Sequence, residues 1–285
     1  MVAERGLKVV GNMFLEMRLG KAIASAAVTP VIESIIVSVQ SNPGALDGLL
    51  RVQRENQQVY RHAMATSALM IALGRTLRLG SIDLHAAGLA GMLLDAGIAR
   101  LGRSDAERDP HSLPEAVWQS HVALGHDLIA SSGLSEGIAR ACLEHHERFD
   151  GNGWPNRTGG SAHCRLGRMA AICDAFDLMV AGSENRPPLD PVQALCWMKA
   201  DVGAYDPEIL SAFEASVGLW PIGSVVELRS GRLAVVVNQY GDAIESAGLI
   251  AALPPIQRTT AQMAMDAALA RVMAGGRPAR RGKAA

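Results

Sequence analysis

The sequence predicts a mainly α-helical protein with a small β appendage towards its C-terminal end. Three observations predict it. Between Thr29 and about Ser216 the apolar residues recur at three- and four-residue spacing, the repeat of helices that each bury one face. Turn-forming clusters such as "SNPGA" at 41–45 and "DPHSLPE" at 109–115 punctuate this stretch. After Gly218, "GSVVELRSGRLAVVVNQYG" alternates apolar and polar residues around a Ser-Gly turn at 230–231, as two hairpin-paired strands do.

Taken in order, residues 1–55 form an N-terminal helical segment whose clearest stripe is Ile32, Ile35, Ile36 and Val39. Residues 56–217 form the main helical domain. Its first helix, "VYRHAMATSALMIALG", carries Leu69, Met70, Leu73 and Leu77 at helical spacing. A Gly-Ser pair at 80–81 precedes "IDLHAAGLAGMLL", and "WQSHVALGHDLI" and "IARACLEHH" follow. The glycine-rich loop "DGNGWPNRTGG" spans 150–160, and the next helix places Met169, Ile172, Phe176 and Met179 on one face. Residues 218–253 are the β appendage, and residues 254–285 hold one more helix, at 259–274, and a basic tail.

Composition narrows the function classes. Lys and Arg number 27 against 28 Asp and Glu, so no charge excess points to nucleic acid or an anionic membrane. Apolar residues make up 49% of the chain, yet runs such as "LAGMLL" are far shorter than the roughly 20 residues of a membrane span. Cys142, Cys164, Cys173 and Cys196 lack C-x-x-C spacing and follow no signal peptide, so reduced thiols in the cytoplasm are expected.

The chemistry-bearing residues are histidines and aspartates on successive helices: His62, Asp95, His121, His145, His146 and Asp174. Neutral imidazoles and carboxylates are ligands for Zn, Fe, Mn or Ni, and one Asp can bridge two cations. Helices far apart in sequence can aim such side chains into a shared bundle core. His62 or His121 alone reads as an ordinary core or surface histidine. Asp95 and Asp174 lie in apolar helices, where a buried carboxylate needs a cationic partner; a salt bridge from Arg100 or Arg168 is the alternative to a metal. Adjacent His145 and His146 diverge by about 100° on a regular helix, so a shared site requires the helix to end there.

The stretch "HHERFDGNGWP" at 145–155 resembles the HHE-xx-DG-x-GYP signature of the HD-GYP family, HD phosphohydrolases that cleave the bacterial messenger cyclic di-GMP. "YRHAMATSALMIALGRTLRLG", "AGLAGMLLDAGIARLG", "HVALGHDLI" and "RLGRMAAICDAFDLMVAGSENRP" are similar to the family's other ligand helices, and "WPIGSVVELRSGRLAVVVN" to a β extension. The resemblance implies an HD-type helical bundle. It assigns His62, Asp95 and Asp174 to one cation and Asp95, His121, His145 and His146 to another, with the shared Asp95 as the catalytic residue. The implied cofactor is a divalent transition metal, Fe or Mn, with one or two ions per chain. Gly151, Gly153, Trp154, Pro155 and Arg186 are the implied substrate-binding residues, with Trp154 either stacking on guanine or packing as a lid. The implied partners are cyclic di-GMP and a diguanylate-cyclase or sensory protein.

One segment departs from the pattern. Where the family has HD-x-GK, this chain reads "LDAGI", so Leu94 stands at the histidine and Ile98 at the lysine that faces the phosphate. Gln58 stands where some members carry a third-metal Glu. Two functions are therefore expected from the sequence: a metal-dependent phosphodiesterase opening cyclic di-GMP to pGpG and GMP, or an impaired relative that acts as a cyclic di-GMP receptor or protein-interaction module.

Overall fold

The computed structural model describes residues 2–41, 58–101, 113–183, 187–189, 191–217, 225–227, 233–236 and 243–245. It is mainly helical. The chain falls into two compact units, residues 1–219 and 220–285.

In the first unit, α1 (Val2–Arg18) and α2 (Ser25–Ser41) precede α3 (Gln58–Thr76), α4 (Ser81–Leu93) and a 3-10 turn at Ala96–Arg100. Then follow α5 (Glu115–Gln119), α6 (His121–Ser131), α7 (Glu136–Glu144), α8 (Arg165–Ala181), α9 (Pro191–Ala200) and α10 (Pro207–Val217). The helix limits agree with the punctuation: α2 ends at Ser41, α4 begins at Ser81 after Gly80, and α5 begins at Glu115.

Helix α3 is the axis of the unit, buried without a break from His62 to Gly74. A helix apolar on all sides belongs inside a bundle, and α3 packs against α1, α2, α4, α8 and α10. Its polar residues are satisfied locally: Thr66 Oγ1 donates to Gly91 O at 2.7 Å and Ser67 Oγ to Gly88 O at 2.8 Å. These bonds stitch α3 to α4, whose C-terminal end leads into Asp95. Phe14 and Met17 of α1 and Ile32 and Ile35 of α2 share one apolar core with Leu69 and Ile71 of α3.

In the second unit, β1 (Val225–Glu227), β2 (Leu233–Val236) and β3 (Ala243–Glu245) form an antiparallel sheet in that order. Val226 lies opposite Ala234 and Val235 opposite Ile244. The helix expected at 259–274 and the basic tail lie outside the described residues, as does the 55/56 boundary.

Candidate metal centre

Helix α4 ends one residue short of Leu94, and the chain turns at Asp95 into the 3-10 segment, with Ile98 N–H donating to Asp95 O at 2.9 Å. Gly97 makes the turn possible, because a Cβ there would lie 1.9 Å from His121 O. The close approach brings the Asp95 carboxylate beside the first residue of α6: Asp95 Oδ1 is 3.4 Å from His121 Nε2 and Oδ2 is 3.7 Å from His62 Nε2.

Helix α7 does end at the histidine doublet. Glu144 is its last residue and His145 its cap, so both rings reach the same side. His145 Nδ1 bonds Cys142 O at 2.7 Å, and His121 Nδ1 bonds Trp118 O. Each ring is thereby oriented from behind by a backbone carbonyl, the arrangement usual for metal-ligating histidines. Their Nε2 atoms face each other at 3.4 Å. Potential donor atoms of His121, His145 and His146 all lie within 4.8 Å of one another.

Asp174, on α8, links the two halves. Its Oδ1 is 2.9 Å from His62 Nε2 and its Oδ2 is 3.8 Å from His146 Nδ1. All six sequence-predicted ligands are thus gathered into one buried cluster. Arg168, the alternative partner for a buried aspartate, pairs instead with Asp206.

The electrostatics follow from burial. Burial lowers the pKa of His121 to about 4, against the raising influence of Asp95. Burial, with His145 beside it, also holds His146 well below the usual range. Both are neutral imidazoles near pH 7, with lone pairs available to a Lewis acid. His62 differs: burial lowers its pKa, but hydrogen bonds to Asp174 and Asp177 outweigh it and carry the result well above the usual value. Burial raises the pKa of Asp174, yet the surrounding histidines, His62 foremost, bring it to a low net value.

A cation fits this donor set. His146 Nε2 is enclosed and has no hydrogen-bond partner, and the His121 and His145 Nε2 atoms converge beside Asp95. Among the described residues, His121, His145 and His146 form the group with metal-holding spacing.

The loop after the doublet is fixed by a residue the sequence reading passed over. Glu147 is 2% exposed, and its carboxylate accepts Asn156 N–H at 2.6 Å and Thr158 N–H at 3.0 Å. Gly151 has φ +79, a true left-handed turn. Gly153 is required for a different reason: a Cβ there would lie 2.3 Å from Arg148 N. Trp154, joined to Pro155, stacks on His146 with centroids 4.3 Å apart and 24° between planes. One indole face is therefore spent on a histidine. Arg186 lies outside the described residues.

Further residues missed from sequence complete the cluster. Asp177 Oδ2 is 2.7 Å from His62 Nδ1, and Arg61 donates to both Asp177 oxygens at 3.3 Å. Trp118 stacks on His121 at 4.1 Å. The spacing of "DAFD" gave a signal for Asp177, since residues three apart share a helix face. Leu94 and Ile98 are each 1% exposed and belong to the apolar core. His126 pairs with neighbouring Asp127, outside the cluster.

The family model described as "HD domain" matches residues 50–209. The chain belongs to the HD domain family. The HD-type recognition read from "HHERFDGNGWP" and its companion helices is thereby borne out. This HD-domain chain is 33% identical over 250 residues to a cyclic di-GMP phosphodiesterase of Pseudomonas aeruginosa, covering 86% of the chain and 60% of that relative. It is 28% identical over 165 residues to a 3'3'-cGAMP-specific phosphodiesterase of Vibrio cholerae serotype O1, covering 56% of the chain and 35% of that relative. The chain thus spans at most about 60% of the length of these relatives. An HDG"Y"P protein from Bdellovibrio bacteriovorus has a similar fold, with TM-score 0.60, 16% identity, and coverage of 74% of this HD-domain chain and 69% of that one.

Proposed function

We propose that this protein is a metal-dependent phosphodiesterase that hydrolyses cyclic di-GMP to pGpG and GMP. The observation that carries the reading is the convergence of His62, Asp95, His121, His145, His146 and Asp174 from five separate chain segments. Asp95, His121, His145 and His146 would hold one divalent cation, with His62, Asp95 and Asp174 available to a second. Fe and Mn are the metals the resemblance favours, from a His/Asp donor set that accepts several. Bound there, such a cation supplies Lewis-acid polarisation of a phosphoryl oxygen and lowers the pKa of water.

The chain's own residues do the positioning. Cys142 O and Trp118 O aim two imidazoles inward, Asp177 aims a third, and Asp95 lies between His62 and His121. Trp118 and Trp154 cover His121 and His146, keeping water from those ring faces. Glu147 and Gly151 set the loop that would meet substrate alongside Gly153, Trp154, Pro155 and Arg186. Hydrolysis places a water oxygen on phosphorus and releases a ribose oxygen with a proton, and Asp95, lying between His62 and His121, is the residue we assign as catalytic through the cations it would share.

A second reading has its own observation. Leu94 and Ile98 are sealed in the apolar core, so neither the family's fourth ligand nor its lysine is replaced at its own position. A chain so altered could bind cyclic di-GMP, or a diguanylate-cyclase or sensory partner, without turnover. The cytoplasm is the compartment we assign, supported by free cysteines at 142, 164, 173 and 196. Among the described residues no helix is long and apolar enough to cross a membrane. We also assign residues 56–217 to the catalytic domain and 218–253 to a β appendage. Elemental analysis of the purified protein, paired with chromatography of cyclic di-GMP incubated with it in Mn or Fe(II), tests the readings. Linear pGpG appearing with bound metal supports the enzyme; bound nucleotide recovered intact supports the receptor.

A further inference from the structure

We propose that Arg61 is a substrate contact, supplying the positive charge for a phosphate group in the pocket beside His62 that the buried Ile98 cannot supply. The inference rests on the phosphodiesterase reading and adds a residue that neither the resemblance nor the sequence pattern assigned. A pocket opens at this end of the bundle, lined by Arg61, His62, Asp95, Trp118 and Asp174 among others. Two of these are carboxylates, and Asp177 lies behind them at 1% side-chain exposure. With Asp95 and Asp174 engaged by the proposed cation, an anionic substrate entering here is held more firmly where a further positive group faces it.

Among the described lining residues, Arg61 is the one with a permanent positive charge. Its guanidinium is anchored from the core side, Nη1 to Asp177 Oδ1 and Nη2 to Asp177 Oδ2, both at 3.3 Å. The pair fixes the plane of the fork, while the side chain keeps 12% exposure at the pocket. A planar fork held in one orientation, with N–H groups beyond those given to Asp177, is the geometry that binds a phosphate bidentately. Ile98, in contrast, is 1% exposed within the core cluster and does not line this pocket.

The competing account is that Arg61 only neutralises Asp177 and so positions His62. Two variants separate the accounts. Arg61→Gln removes the charge and, ending two bonds short of the guanidinium Nη atoms, also leaves Asp177 without that partner; Arg61→Lys keeps the charge and loses the fork. Wild type and both variants are titrated calorimetrically in Mn-containing buffer with inorganic phosphate and with cyclic di-GMP, and metal content and Tm are read on the same samples. The expected result is that Arg61→Gln weakens both anions by about 10- to 100-fold, the worth of one charge-assisted hydrogen bond. Metal content stays at the wild-type value, Tm falls in Arg61→Gln because buried Asp177 loses that partner, and Arg61→Lys lies between. Unchanged affinity in Arg61→Gln overturns the proposal, and so does a loss of affinity that only tracks a loss of metal. If wild type binds phosphate through Arg61 but ignores cyclic di-GMP, the phosphate contact stands and the cyclic di-GMP reading falls. If it binds neither anion, both fall.

Discussion

His145 and His62 illustrate how differently two imidazoles can be held within one cluster. His145 is tied at Nδ1 by Cys142 O, and its Nε2 meets the neutral imidazole of His121 at 3.4 Å. His62 has a carboxylate on each nitrogen, Asp177 at 2.7 Å and Asp174 at 2.9 Å, and the fourth donor expected on its side is Leu94. A cation has more to gain from the first arrangement. His145→Ala should therefore strip metal more completely than His62→Ala, read as metal per chain after dialysis; equal losses would contradict the assignment. The six clustered residues were legible because their types and order match a long signature. Arg61, Trp118 and Glu147 were not, because their importance depends on which atoms they meet through space, and Asp177 left only its three-residue spacing from Asp174 as a signal. A buried glutamate accepting two loop amides looks in sequence like any other glutamate.

At the scale of elements, helix ends position the chemistry. Asp95 caps the turn after α4, His121 opens α6, and His145 closes α7, so three of the six residues lie where a helix begins or stops. These ends were readable from glycine, proline and serine punctuation, whereas the contact between Gly97 and the start of α6 was not. Helix α8 has a guarded end of its own. Cys164 Sγ accepts Gly167 N–H, Glu144 Oε2 accepts Cys164 N–H, and fully buried His163 precedes them. Burial lowers the pKa of His163, and Arg168 and Arg140 add to that against the opposing pull of Glu144. A protonated ring would also bring positive charge to the N-terminal end of a helix dipole. The folded state thus binds its proton less readily than the unfolded chain, so stability is full above the ordinary histidine pKa of about 6.5 and falls as pH drops below it. His121 and His146 act in the same direction when no metal is bound, and His62, whose pKa is raised, is the one histidine of the four that opposes them. Thermal melts of metal-free protein between about pH 7.5 and 5 should show Tm falling with pH. His163→Leu should flatten that slope without abolishing it, and an unchanged slope would show that His163 titrates normally.

Across the whole first unit, one continuous core joins the N-terminal helices to the site. Phe14 is fully buried, and its ring lies 5.3 Å from that of Tyr60, the residue two before His62. Arg75 Nη1 donates to Val39 O at 2.8 Å, and Ile23 N–H to Ser132 Oγ at 2.8 Å, so α2 and the α1–α2 link are also tied to α3 and the end of α6. Helix α1 packs as well against the 3-10 turn that follows Asp95. The sequence showed helical spacing in the first segment but not this attachment, because apolar periodicity marks a buried face without naming what covers it. If the core is shared, damage in α1 is felt at the metal centre. Phe14→Ala removes a large side chain from a site with no exposure and should cost about 3–5 kcal/mol, seen as a shift of a single denaturant transition. Metal affinity should weaken with it, since α3 and the Asp95 turn lose packing on the same side. A variant whose N-terminal helices melt in a separate early step, leaving metal binding and the main transition intact, would show instead that α1 and α2 fold as an independent unit.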